Sequence, residues 1–116
     1  MVLSESTEEA YQRRFNMLNT IMIQEFMNLN NKEKVSVVDV REGFETSAGH
    51  IKNATLLPLS GLKKNFDKLN PEQTHYIICQ SGGRSLKAAK FLSKKGYNVV
   101  NVLGGMGAYR GPVTRG

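Results

Sequence analysis

The stretch Val35-Ser36-Val37-Val38-Asp39-Val40 narrows the fold more than any other part of the chain. Its β-branched residues favour a strand. Its nearly continuous apolar character suits a strand covered on both faces, which implies a parallel sheet with helices on each side. Asp39 interrupts the run, and a carboxylate there requires a partner. Arg41, two residues on, or a backbone N–H group of a neighbouring loop can supply it. Tyr76-Ile77-Ile78 and Val99-Val100-Asn101-Val102-Leu103 read as further buried strands, with shorter candidates at residues 20–23 and 54–57.

Between these runs the pattern turns helical. Leu86, Ala89 and Phe91-Leu92 fall on one face and Lys87, Lys90 and Lys94 on the other, with Gly96 as the stop. Leu62, Phe66 and Leu69 define another helix, with Ser60 as its cap. A short helix is expected at 24–29, then a polar connection at 30–34, and an irregular turn or helix at 42–48. Gly104-Gly105-Met106-Gly107 reads as a glycine-rich turn from which no helix clearly opens, lying beside the loop at Cys79. Strands alternating with helices through right-handed crossovers give an α/β domain of three layers, its central sheet mostly parallel and flanked by helices.

Residues 4–18 look like a separate helix, with a capping-box pattern at Ser6 and Glu9 and with Tyr11, Phe15 and Leu18 at helical spacing. The expected organisation is therefore a helical extension over 1–19 and a domain over 20–116. The extension packs over one edge of the domain or against a second subunit, so a homodimer is one expectation.

A chain of 116 residues is large enough for one core without disulfides or a structural metal. One cysteine excludes an internal disulfide framework, and with two histidines, His50 and His75, it does not make a zinc pattern. No metal or organic cofactor is expected. The N-terminus lacks the basic and apolar regions of a signal peptide, and no apolar run reaches the length of a membrane span, so the chain reads as cytoplasmic. The formal net charge of +6 comes from lysines spread along the chain without interleaved aromatic residues. That pattern argues against a nucleic-acid stacking platform and for a positive field that steers small anions.

Cys79-Gln80-Ser81-Gly82-Gly83-Arg84-Ser85 links the strand ending at Ile78 to the lysine-rich helix. Two glycines let the backbone curl so that N–H groups point inward, and the helix start adds the positive end of its dipole. An anion at the centre is stabilised, and the sulfur of Cys79 is best placed to be that anion. Its pKa is expected below the free thiol value of roughly 8.5, leaving a cradled and exposed thiolate. Arg84 adds a permanent positive charge at the rim. A lone cysteine at a strand end is commonly just a small core hydrophobe. The glycine pair, the arginine and the following helix favour the reactive reading.

This loop, together with Val38-Asp39-Val40-Arg41, Gly49-His50-Ile51, Leu57-Pro58-Leu59 and Gly104-Gly105-Met106, resembles the single-domain rhodaneses, or thiosulfate sulfurtransferases, from about residue 21 to 112. The resemblance implies a rhodanese-like fold and an enzyme in which Cys79 carries a sulfane sulfur as a persulfide. The donor would be a small anion, thiosulfate or a low-molecular-weight persulfide, and the acceptor cyanide, a thiol or a protein, with no nucleic acid or membrane involved. The backbone from Gln80 through Ser81, Gly82, Gly83 and Arg84 to Ser85 would bind the substrate. Asp39 and Arg41 would hold loops around the site, and His50 would buttress the fold and not act as a base. Tyr109 stands where the family more often has tryptophan. Two alternatives remain: a dedicated persulfide carrier or non-enzymatic rhodanese-like binding module and, ranked behind it, a cysteine phosphatase or arsenate reductase. Phosphatase loops hold five residues between cysteine and arginine, whereas Cys79 and Arg84 enclose four.

Overall fold

The computed structural model describes residues 19–116, so the helix expected over 4–18 lies outside the described residues. Five strands form one sheet: β1 (Asn19–Met22), β2 (Ser36–Asp39), β3 (Ala54–Leu56), β4 (His75–Ile78) and β5 (Val99–Leu103). Their order is β1-β5-β4-β2-β3, and every neighbouring pair is parallel. The helices are α1 (Ile23–Lys32), α2 (Gly43–Thr46), α3 (Leu62–Asn65), α4 (Gly83–Lys94) and α5 (Gly105–Ala108). Among the described residues no helix is long and apolar enough to cross a membrane.

The continuous apolar character of β2 and β4 has the cause expected of it. Successive side chains of a strand point to opposite faces, and here both faces are covered. Val38 and Ile77 join Leu62, Ala88, Ala89 and Leu92 in one core cluster. Val37 and Ile78 join Ile23, Phe26, Ile51 and Val102 in the other. The sheet is thus the middle layer of three, and β4 at its centre delivers Cys79 to the carboxyl edge.

Four local expectations need correction. First, α1 continues through Lys32 where a polar connection was expected from residue 30. Asn30 is buried and exchanges side-chain hydrogen bonds with Asn53, while its Oδ1 accepts from the Val35 N–H. Its polarity serves a side-chain contact, and the helix is not ended by it. Second, Ser60 caps no helix. Its hydroxyl donates to Glu42 Oε1 at 2.7 Å, and the segment around it is broken into a 3-10 turn (Leu59–Gly61), α3 and a second 3-10 turn (Phe66–Lys68). The Tyr97 hydroxyl donates to the carbonyls of both Phe66 and Leu69, satisfying at this end groups that a continuing helix would otherwise use.

Third, the buried stripe of α4 is Ser85, Ala88, Ala89, Leu92 and Ser93. Leu86 is left exposed, and Phe91 packs edge-on to Phe66. Leu92 is the one large side chain of that stripe, and with Ala88 and Ala89 it packs in the cluster that holds Ile77 of β4. The helix does end at Gly96, where φ is +93°. Tyr97 N–H donates to Leu92 O and Gly96 N–H to Ser93 O, the paired bonds of a glycine-terminated helix. Fourth, a helix, α5, does open from the turn after β5, and the reason lies in the site.

Candidate active site

Cys79 follows β4, and the chain then turns through Gln80, Ser81 and Gly82 into α4. Gly82 has φ +126°, a conformation that glycine adopts at little steric cost. The turn brings the Gly82 N–H to 3.1 Å from Cys79 Sγ. Ser85, in the first turn of α4, sets its Oγ 3.3 Å from the same sulfur and donates to the Gly82 carbonyl. In the thiol form the Cys79 S–H donates to Ser85 Oγ. Once the sulfur is a thiolate, the hydroxyl rotates to donate to it.

These contacts set the acidity of the thiol. Burial, the largest single influence, pushes the Cys79 pKa up. The Ser85 hydroxyl and the N–H groups of Ser85, Gly82 and Ser81 together pull it further down, so the thiol lies below its ordinary value. Of the N–H groups expected to face inward between Gln80 and Ser85, those of Ser81, Gly82 and Ser85 bear on the sulfur. The sulfur is less open than expected, because Cys79 is 1% exposed and belongs to the core cluster beneath the loop.

The loop is braced from behind by α5. Met106 N–H donates to Cys79 O and Gly107 N–H to Gln80 O, both at 2.8 Å, and Gly104 N–H donates to Ser81 O at 3.2 Å. The glycine turn that sequence placed beside the loop is therefore its support, and the helical curl of α5 is what aligns successive N–H groups with successive loop carbonyls. Gln80 and Ser81 are exposed at the outer side of the loop, as is Gly83.

Arg84 stands at the rim, but its charge is not free. Its two terminal nitrogens donate to Glu45 Oε1 at 2.6 Å and Oε2 at 2.9 Å. This pairing holds the Glu45 carboxyl down at about 2, with the Arg84 hydrogen bond as the main cause, and raises the guanidinium further above its already high value. Glu45 is the residue that sequence reasoning missed. Its signal was a rim cation without a counter-ion, together with an acidic pair, Glu42 and Glu45, at the spacing of one helical turn. The two residues cap α2 reciprocally: the Glu42 side chain takes the Glu45 N–H and the Glu45 side chain takes the Glu42 N–H.

Asp39, paired with Ile78 at the end of β4, and Arg41 form a buried unit. Arg41 Nε and Nη2 donate to the Asp39 carboxylate at 2.9–3.2 Å, the Arg41 N–H adds a bond of 3.0 Å, and Nη2 also reaches Gly49 O at 2.8 Å. Of the two partners foreseen for Asp39, Arg41 is the one used, and the backbone N–H that joins it is Arg41's own and not one of a neighbouring loop. His50 is engaged elsewhere: its Nδ1 donates to Thr46 O at 3.0 Å, and its backbone pairs with Thr114. Tyr109 closes the tail, its hydroxyl donating to Pro112 O at 2.9 Å.

Known proteins share this fold. A solved rhodanese-like domain protein from Staphylococcus aureus superposes with a TM-score of 0.80 at 35% identity, over 85% of this chain and 99% of that one. The Bacillus subtilis protein named "Putative sulfurtransferase YtwF" is 34% identical over 79 residues, 68% of this chain and 77% of its own. A second Bacillus subtilis protein, "Putative sulfur carrier protein YrkF", is 37% identical over 84 residues, 72% of this chain but 45% of its own length. The model of the rhodanese-like domain matches residues 22–111. That span holds the loop, its α5 brace and the Asp39–Arg41 unit within one parallel sheet, and the chain belongs to the rhodanese-like domain family.

Proposed function

We propose that this chain is a sulfurtransferase in which Cys79 is the sulfur carrier. The Cys79 thiolate attacks the outer sulfur of thiosulfate or another sulfane donor. A bond forms between Sγ and that sulfur as the donor's S–S bond breaks, the leaving group departs with the bonding pair, and a Cys79 persulfide remains. A thiol or cyanide then takes the outer sulfur and restores the thiolate, which is a ping-pong order. Gln80 to Ser85 form the binding loop, and the donors at Ser81, Gly82 and Ser85 hold the anionic sulfur much as an oxyanion hole holds oxygen. Family membership and the names of its relatives support sulfur transfer in general.

The observation that carries the reading is the sulfur held at 3.1 Å by the Gly82 N–H and at 3.3 Å by Ser85 Oγ at the start of a 12-residue helix. Such a site stabilises a thiolate, the nucleophile this chemistry needs. The test is the intact mass of the reduced protein after incubation with thiosulfate or cysteine persulfide and removal of small molecules. One added sulfur atom is expected, absent in Cys79→Ser and removed by cyanide. No gain with either donor would sink the reading.

A dedicated persulfide carrier is the second reading, favoured by the burial of Cys79 and by the sulfur-carrier name of one relative. Release of the sulfur to one protein partner, without turnover on cyanide or small thiols, would select it.

A further inference from the structure

We infer that Glu45 sets donor specificity: by occupying Arg84 it turns the mouth of the loop away from inorganic dianions such as thiosulfate and towards organic persulfides. The inference rests on the sulfur-transfer reading above and names the donor class for that site.

Charges around the mouth carry the argument. Arg41 is matched by Asp39 and Arg84 by Glu45. Glu42 interacts with Ser60 through its hydroxyl and N–H, both neutral groups, so its charge is not cancelled there. Glu42, Glu45 and Cys79 all bear on the Arg84 guanidinium. With the thiolate formed and Arg41 matched by Asp39, the mouth holds, among the described residues, Glu42, Glu45 and the Cys79 thiolate around the Arg84 cation. Lys87, Lys90 and Lys94 line a groove with Phe91 along the outer face of α4. The net positive charge of the chain therefore does not describe the field a donor meets at the sulfur. Glu45, a carboxylate with ordinary value 4.5 that Arg84 lowers further, is ionised throughout the neutral range.

A second observation points the same way. Phe44, adjacent to Glu45 on α2, is 80% exposed, and Leu86 and Leu103 are exposed as well. Leu86 N–H bonds to Gly82 O, and the Leu103 side chain lies against Gly82. The exposed Leu103 side chain thus flanks the loop, which suits a donor with a carbon skeleton more than a strongly hydrated dianion.

The chemistry separates the two donors. With an organic persulfide, Cys79–S⁻ + R–S–SH gives Cys79–S–SH + R–S⁻. The Sγ–S bond forms as the R–S bond to the outer sulfur breaks, the pair leaves on R–S⁻, and the proton stays on the transferred sulfur. Reacting in this protonated form, the donor adds no charge at the sulfurs, and one negative charge is carried there throughout. With thiosulfate, the thiolate's charge meets two more, and sulfite leaves as a dianion. Each added charge interacts unfavourably with Glu42 and Glu45.

The test compares loading of Cys79 by thiosulfate and by cysteine persulfide, read as second-order rates by quenched intact mass, in the wild type, Glu45→Gln and Glu45→Asp. The wild type is expected to load faster from cysteine persulfide. Glu45→Gln, which keeps the shape and loses the charge, is expected to raise the thiosulfate rate about tenfold and leave the persulfide rate within about twofold. Glu45→Asp keeps the charge and is expected to keep the wild-type preference. A fall in thiosulfate loading in Glu45→Gln, or an equal change for both donors, would overturn the inference and leave Glu45 a purely structural brace for Arg84. Wild-type loading from neither donor would overturn the sulfur-transfer reading itself, a result distinct from either of those.

Discussion

The Met106 N–H donates to the Cys79 carbonyl oxygen at 2.8 Å, and the residue before Met106 makes that approach possible. Gly105 has φ +55°, and a Cβ there would overlap the Cys79 carbonyl oxygen and stand 2.7 Å from the Gln80 carbonyl carbon. Backbone is what it would meet, so no side chain can move to relieve the overlap. Gly105→Ala is expected to cost about 2–4 kcal/mol in urea unfolding and to abolish persulfide loading by displacing the loop. Gly43→Ala is the control, since nothing lies within 4 Å of its added Cβ, and it should unfold like the wild type.

Asp39 is fully buried and Arg41 is 5% exposed, so each depends on the other. Arg41→Ala leaves a carboxylate in the core without its cation, and the expected loss is about 3–5 kcal/mol. Arg41→Lys keeps the charge but not the forked geometry or the reach to Gly49, so its loss should be smaller. Urea midpoints of the two variants check the order; equal stability of Arg41→Ala and the wild type would show that the pair does not hold these loops.

Much of this was legible in the residues themselves. The β-branched runs at 35–40 and 99–103 announced covered strands because burial on two faces leaves no room for polar alternation. The loop at Cys79 was legible because glycine spacing and a following helix are local properties. What stayed hidden was tertiary. Glu45 and Arg84 are 39 positions apart, and no local pattern joins them. Ser60 looks like a cap until Glu42 is seen beside it, and Leu86 looks like core until Ala88, Ala89 and Leu92 are seen to fill the face turned to the sheet. The four-residue α5 has too few side chains to show a period, and its N–H groups answer to carbonyls of the Cys79 loop.

The Glu45–Arg84 pair makes a pH prediction with a definite sign. The Glu45 carboxyl falls from its ordinary 4.5 in the unfolded chain to about 2 in the folded one. A depressed folded value means that the pair's stabilisation is fully present above about 4.5 and is lost as pH falls towards about 2. Glu45→Gln is therefore expected to be less stable than the wild type at pH 7, with the difference shrinking between pH 4.5 and 2. Both side chains are partly exposed, so solvent and salt reduce the effect, and the gap at pH 7 should narrow at high salt. Urea midpoints across that range check it; a gap that stays constant down to pH 2 would assign the loss to packing and not to charge.

Ser85 offers the corresponding test at the sulfur. Its hydroxyl, 3.3 Å from Sγ, is the foremost of the groups that lower the Cys79 thiol, against the opposing effect of burial. Ser85→Ala keeps the burial and removes the hydroxyl. The thiol should then titrate at higher pH, and its alkylation rate by iodoacetamide at pH 7 should fall about three- to tenfold. At a pH high enough to ionise both proteins the two rates should converge, because the nucleophile is then the same thiolate. Urea-unfolded wild type and variant should alkylate alike, since neither holds the loop. If the folded variant's rate were lower by the same factor at every pH, the hydroxyl would be governing access to the sulfur, with the acidity set by the N–H groups of Ser81, Gly82 and Ser85.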